Sequence, residues 1–294
     1  MKTASGVTLA FVGAAAGCGG EDDPGFGDLE ETSSELSGPA FQWFLSDGLA
    51  DHPVGPFPNP GCPFAIQRQN RYYRIIQPRA APSFTAVRFW EFGVCLNGVV
   101  FDPAGPDWNG NAASGWQFEV TSAVVRPHLG LDGNHAHTQP GGGYHYHAFS
   151  PYLRARAQQA VAQRRMALFG WAADGFPIYG VFGYSNPMDP YSPMVPMRSG
   201  YRLRSGNRPG GPGGRYDGTF VQDFAFVGGG HLDKANGRFG VTPEFPGGTY
   251  YYCLTDTFPY IPRYYRGTPD PTFAWHAQGP GLEGVPPALR NYRG

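Results

Sequence analysis

Glycine or proline falls on average at every fourth position of this chain, which limits regular structure to short pieces. A helix interior tolerates neither residue well, and a sheet tolerates proline only at edges and bulges. Such punctuation also marks low-complexity disorder, but an aromatic content of 15% is far too high for a disordered chain. The pattern specifies a turn-rich, mainly β fold, either β-sandwich-like or two related β units packed as one domain. At 294 residues the chain can bury a substantial core, and its formal net charge of -1 gives nucleic acid or an anionic surface no electrostatic hold.

The first 18 residues read as an export segment: Lys2 is followed by the short apolar stretch Val7 to Ala16, and Ala15-Ala16-Gly17-Cys18 resembles the lipobox of bacterial lipoproteins. Cys18 is the expected lipidation site, which places the chain in the bacterial cell envelope, held by lipid alone and facing the periplasm or the cell surface. Ala14-Ala15-Ala16 would also suit simple secretion. No later apolar run is long enough to span a bilayer. Residues 19–40 are small and acidic and read as a flexible tether, residues 41–276 as the β domain and 277–294 as a tail. Of the remaining cysteines, Cys62, Cys95 and Cys253, an oxidising compartment is expected to pair two and leave one; the plainer reading of each is a buried apolar side chain.

Short β-prone runs follow from Phe41 onward, among them Tyr72 to Ile76, Val87 to Leu96, Trp116 to Val125, Gly175 to Phe182, Thr219 to Val227 and Thr249 to Leu254. One helix interrupts them near 151–169. Ser150 is its cap, Pro151 its first residue and Gly170 its stop, with Leu153, Ala157, Val161 and Leu168 on the buried face. Residues 186–214 read as a surface excursion with little to bury. Leu131-Asp132, Asn134 and Pro140 to His147 are echoed by Leu232-Asp233, Asn236 and Pro246 to Cys253. A matching pair, Asn97 to Phe101 and Asp174 to Ile178, precedes them, as two related β units would require.

The segment from Gly130 to His147 holds half of the eight histidines within thirteen residues. On a strand alternate residues share a face, so His135 projects with His137 and His145 with His147. If the glycine-rich loop joins antiparallel strands with His137 opposite His145, all four rings share one face; a slip of one residue would put Tyr144 and Tyr146 there instead. Neutral imidazoles so grouped suit Zn or Cu, and the competing reading is a polar sheet face. His128 and His231, preceding the two Leu-Asp motifs, are candidates to join or support the ligands, while isolated His52 and His276 are read as structural. A catalytic metal also needs an open coordination position and a nearby base, for which Asp132 and Asp174 are the first candidates and Asp233 and Glu244 the next. Asp-Gly is equally an ordinary turn signal. No nucleophile elbow, phosphate loop or dinucleotide fingerprint is present.

Gly143-Tyr144-His145-Tyr146-His147 resembles the defining motif of the bacterial YHYH domain family of exported proteins. The likeness runs from about Phe57 to Phe273. It takes in Leu96 to Val99 with Phe101-Asp102-Pro103, Gly130 to His147, Gly170 to Gly180, Tyr216 to Val221, Leu232-Asp233 with Asn236 to Arg238, and Thr242 to Glu244 leading to Gly248-Thr249-Tyr250. The resemblance implies an exported, mostly β domain and brings no settled reaction. It also implies a histidine in the second Gly-Thr-Tyr motif and a cysteine between Leu-Asp and Asn-Gly-Arg; this chain has Tyr251 and Ala235 there. The expected function is a lipoprotein with a Zn or Cu site formed by His135, His137, His145 and His147, extending to a metalloenzyme acting on a small molecule. One alternative is a copper or zinc buffering or delivery protein with Cys253 as a soft ligand. The other is a metal-free module that binds glycans through its aromatics.

Overall fold

The computed structural model describes residues 9–10, 41–88 and 91–274. Cys18 and the export segment apart from residues 9–10, the 19–40 tether, His276 and the tail lie outside them.

Phe41–Ser46 (β1) and Arg71–Ile76 (β2) form an antiparallel pair, with Leu9–Ala10 on the outer edge of β1. The main sheet uses Gly93–Cys95 (β3), Val100–Phe101 (β4), Ala136–Thr138 (β5), Tyr144–Tyr146 (β6), Leu168–Ala172 (β7), Pro177–Tyr179 (β8), Gly237–Gly240 (β9) and Thr249–Cys253 (β10). Their order across the sheet is β9-β10-β8-β7-β3-β4-β6-β5. Short ribbons flank it: Phe182–Tyr184 pairs with Met194–Pro196, and Tyr201–Leu203 with Phe224–Phe226.

That order is a palindrome. The two units share one sheet and meet where β3 and β7 pair antiparallel, Gly93 opposite Ala172 and Cys95 opposite Gly170. In each half the hairpin β3-β4 or β7-β8 is followed by a strand running parallel to its second member, β6 beside β4 and β10 beside β8. A last strand then closes the edge, β5 on β6 and β9 on β10. The internal repeat is therefore a structural one, and of the two architectures that the sequence leaves open the shared sheet is realised rather than a sandwich.

Equivalent turns use equivalent bonds. Asn97 Nδ2 donates to the Tyr146 hydroxyl at 3.0 Å, while the Tyr252 hydroxyl donates to Asp174 Oδ2 at 2.5 Å. Asp132 Oδ1 accepts the N–H groups of Asn134 and Ala136, and Asp233 Oδ1 those of Ala235 and Gly237. Tyr144 and Tyr250 donate their hydroxyls to these same two carboxylates. These tyrosines and Tyr146, Tyr252, Phe92, Phe101 and Ile178 fill the main core.

Three expectations are corrected. The helix covers only Pro151–Ala162 (α2), capped as expected by Ser150 and burying Leu153 and Ala157. Arg164 turns into the left-handed region, and Leu168 and Gly170 lie in β7, where pairing on both sides overrides the helical pattern. Trp116 to Val125 forms no strand beyond isolated bridges, because Glu119 Oε1 takes the N–H and hydroxyl of Thr121 and bends the chain into a turn. The 186–214 excursion does bury something: the Arg208 guanidinium is enclosed, paired through Nε and Nη2 with both oxygens of Asp223 and through Nη2 with Asp217.

The expected disulfide is absent as well. Cys62, Cys95 and Cys253 are buried free thiols. Cys62 donates to the Thr138 carbonyl on β5, three strands from Cys95 on β3, which is itself three strands from Cys253 on β10. At about 4.8 Å per strand each gap is roughly 14 Å, twice the reach of a disulfide. Burial pushes the thiols of Cys95 and Cys253 up to about 12, leaving them unreactive. An aromatic disulfide reagent should label none of the three in the native protein and all three in denaturant; rapid native labelling would contradict this packing.

At the junction of the halves, a Cβ on Gly93 would lie 2.4 Å from the Trp171 carbonyl, and one on Gly170 2.1 Å from that of Val94. Gly93→Ala and Gly170→Ala should each cost about 3 kcal/mol or more and by similar amounts, read from urea midpoints.

Candidate metal centre

β5 and β6 pair with His137 opposite His145, and the His147 N–H donates to the His135 carbonyl at 2.9 Å, so the register is the one that groups the histidines. Three rings then face one another. Their centroids are 4.8 Å apart for His137 and His145, 4.9 Å for His137 and His147 and 4.6 Å for His145 and His147. One ligand nitrogen from each lies within 4.8 Å of the other two. His135 is not in the group: its φ of 56° is left-handed, which breaks the strand alternation that would have carried its ring to the shared face.

The surroundings orient the rings. Leu129, in the short helix Arg126–Leu129 (α1), offers its carbonyl to His137 Nδ1 at 2.7 Å, and the Gly143 carbonyl faces His145 Nδ1 at 3.2 Å. Donation from both Nδ1 atoms leaves both Nε2 atoms as acceptors, the arrangement that backbone carbonyls impose on metal-binding imidazoles. His147 is 3% exposed, and neither of its ring nitrogens has a hydrogen-bond partner. The Asp102 backbone is near enough to exert a weak opposing pull on its pKa without meeting hydrogen-bond geometry.

Burial keeps all three rings neutral. It pushes His145 down to about 3, His147 well below the imidazole range and His137 downward, and in His145 and His147 the neighbouring imidazoles add to the effect. Neutral imidazole is the form that binds metal. Nitrogens around a tetrahedral ion at 2.0–2.1 Å would sit about 3.3 Å apart, so the trio has to draw in by roughly 1.5 Å or less, within reach of ring rotation. The residues therefore fit a three-nitrogen site.

Asp132 lies close to His137, but its role is architectural. Besides the Asn134 and Ala136 N–H groups it accepts the Gly55 N–H at 3.0 Å and the Tyr144 hydroxyl at 2.6 Å. Asp174 sits in the other half, at the position equivalent to Asn97. Its Oδ2 accepts the Tyr252 hydroxyl and the Gly267 N–H at 2.8 Å. Asp233 holds Tyr250, and Glu244 accepts the Tyr179 hydroxyl at 2.6 Å. His52 is structural as expected, its Nε2 2.5 Å from the Tyr146 hydroxyl. His231 Nδ1 accepts the Arg198 N–H, and His128 lies on α1 outside the trio.

Sequence reasoning missed the carboxylates on the histidine side. Parallel pairing sets Val100 beside His145 and Phe101 beside Tyr146, so the next residue, Asp102, comes beside His147. Its N–H donates to the Tyr146 carbonyl at 2.9 Å. Burial, reinforced by Glu91, pushes the Asp102 carboxyl up to about 7. The signal was present in Phe101-Asp102-Pro103, directly after the first copy of the repeated strand.

In the second half, Arg238, Tyr251 and Cys253 stand where His137, His145 and His147 stand in the first. Arg238 Nε donates to the Tyr251 hydroxyl at 2.6 Å and Nη2 to the Tyr184 carbonyl at 2.6 Å. Cys253 is five strands from the strand before His147, about 24 Å, too far to share an ion with the trio.

A family model described as YHYH protein matches residues 72–267, two thirds of the chain and both halves of the sheet. No curated protein and no solved structure matches the chain significantly.

Burial raises Asp174 to about 6 from 3.8. The unfolded carboxyl ionises first, so the folded state holds the extra proton between those values and stability falls as pH rises through that window, then levels off. Asp174→Asn keeps an oxygen for Tyr252 and cannot ionise. Its stability relative to wild type should rise by on the order of 2 kcal/mol between pH 4 and 7, measured by urea unfolding; a flat difference would contradict the burial of a titrating acid.

Proposed function

Because the chain belongs to the YHYH family and its motif strand carries the trio, we propose that it is an exported, lipid-anchored protein with a Zn or Cu centre held by His137, His145 and His147. The observation that carries this reading is the mutual approach of three neutral imidazoles, two buried and one half-buried, one of them with both nitrogens unpartnered. Burying His147 with neither ring nitrogen partnered, against two further imidazoles, costs several kcal/mol, and a shared cation offsets that cost. The Ala15-Ala16-Gly17-Cys18 sequence supports export and lipidation at Cys18.

Among the described residues the trio has no fourth protein ligand, which favours an open, catalytic type of centre over a closed storage site. The distance of Cys253 likewise weakens the soft-ligand delivery reading. When bound, the ion would supply a Lewis acid or, as copper, a redox centre. The chain's own part is to fix the ring tautomers through Leu129 and Gly143 and keep the imidazoles neutral. Asp132 serves this centre by holding the turn before His137.

Elemental mass spectrometry on the full chain, expressed for export, tests this. About one equivalent of Zn or Cu is expected, falling at least tenfold in His145→Ala/His147→Ala while the near-UV circular dichroism of the folded domain persists. Wild-type protein that stays metal-free after reconstitution with both ions would refute the centre and move the glycan-binding reading forward.

A further inference from the structure

A small cavity adjoins His145, walled also by Val100, Asp102, Glu91, Arg71 and Tyr73. Its volume of about 10 Å³ is that of a single water site. Chain topology puts it on the histidine side of the sheet, because Val100 and Asp102 on and after β4 run parallel to His145 and His147. The β1-β2 pair lines its other side: Ser46 Oγ donates to the Gly98 carbonyl at 2.5 Å and Tyr73 donates its hydroxyl to Glu91 Oε2 at 2.9 Å.

The polar wall is built rather than incidental. Glu91 is 3% exposed and Asp102 7%, and both belong to a residue type seldom buried without a role. Glu91 is held rigidly, its other oxygen paired with Arg71 Nη1 at 3.2 Å. Asp102 uses Oδ1 to accept the Ala104 N–H at 2.9 Å. A cavity the size of one water, walled by a histidine of the trio and by two buried acidic side chains, is a seat for a small hydrogen-bonding molecule.

We propose that this cavity is the ligand seat of the histidine centre: it admits one neutral, water-sized molecule to the side of His145, where Asp102 accepts its hydrogen bond and Glu91 with Arg71 fixes the far wall. The inference rests on the metal reading above. It narrows the occupant of the inner position to water and molecules scarcely larger. Asp102 is a positioning residue for whatever occupies the seat.

Water-proton relaxation of the Cu(II)-loaded full chain reads the seat directly and needs no activity. Metal content is measured first on wild type, Val100→Ile, which adds a methyl larger than the cavity, and Val100→Ala, which enlarges it. All three should load equally. Wild type should then show the relaxivity of an exchanging bound water, Val100→Ile should lose more than about half of it, and Val100→Ala should keep or exceed it. Equal loading with the same relaxivity in all three, or with no enhancement in wild type, overturns the seat and leaves the metal centre standing. Failure of wild type to load Cu(II) removes the centre itself and the seat with it.

Discussion

Everything in this fold hangs on the antiparallel contact between β3 and β7. It is where the two halves join into one sheet, and a glycine from each half presses against the carbonyl of the other. Because Gly93 and Gly170 are equivalent, the close approach is made twice across one pseudo-two-fold axis. The strand order on each side follows from it, hairpin, parallel neighbour, edge. The site inherits its register from this chain of pairings: β4 fixes β6, and β6 fixes β5. His137 faces His145 because a strand three places away is packed as tightly as a backbone allows.

Much of this was legible in the sequence. The repeated Leu-Asp and Gly-rich Tyr motifs correspond to the same turns and strands in the two halves, and alternation on short strands predicted the grouping of His137, His145 and His147. What was not legible depends on single backbone torsions and on neighbours distant in sequence. His135 looks identical to His137 in the pattern, and only its left-handed φ separates it from the trio. Leu168 to Gly170 continued a helical pattern, but two flanking strands claimed them. Asp132 and Asp174 carried the right chemistry, yet Tyr144 and Tyr252, both paired to them from other strands, engage their oxygens. Asp102 went unread because its proximity to His147 exists only through a parallel pairing, which short-range patterns do not reveal.

The two halves also show what one scaffold does with different side chains. In the first, three neutral imidazoles converge on a point where positive charge has to be supplied from outside. In the second, the covalently attached guanidinium of Arg238 lies against Tyr251 at the equivalent place. The fold thus carries one position that is electrostatically complete by itself and one that is complete only with a partner.

The palindromic order places the histidines toward one end of the sheet rather than at its centre, and β5, which carries His137, is its outermost strand there. A three-residue edge strand can detach at the cost of its own few bonds while the middle of the sheet stays intact. Release of whatever the trio holds would therefore require only the edge of the sheet to give way, together with the ties that bind β5 to Cys62, Phe64 and Leu129, and not its middle.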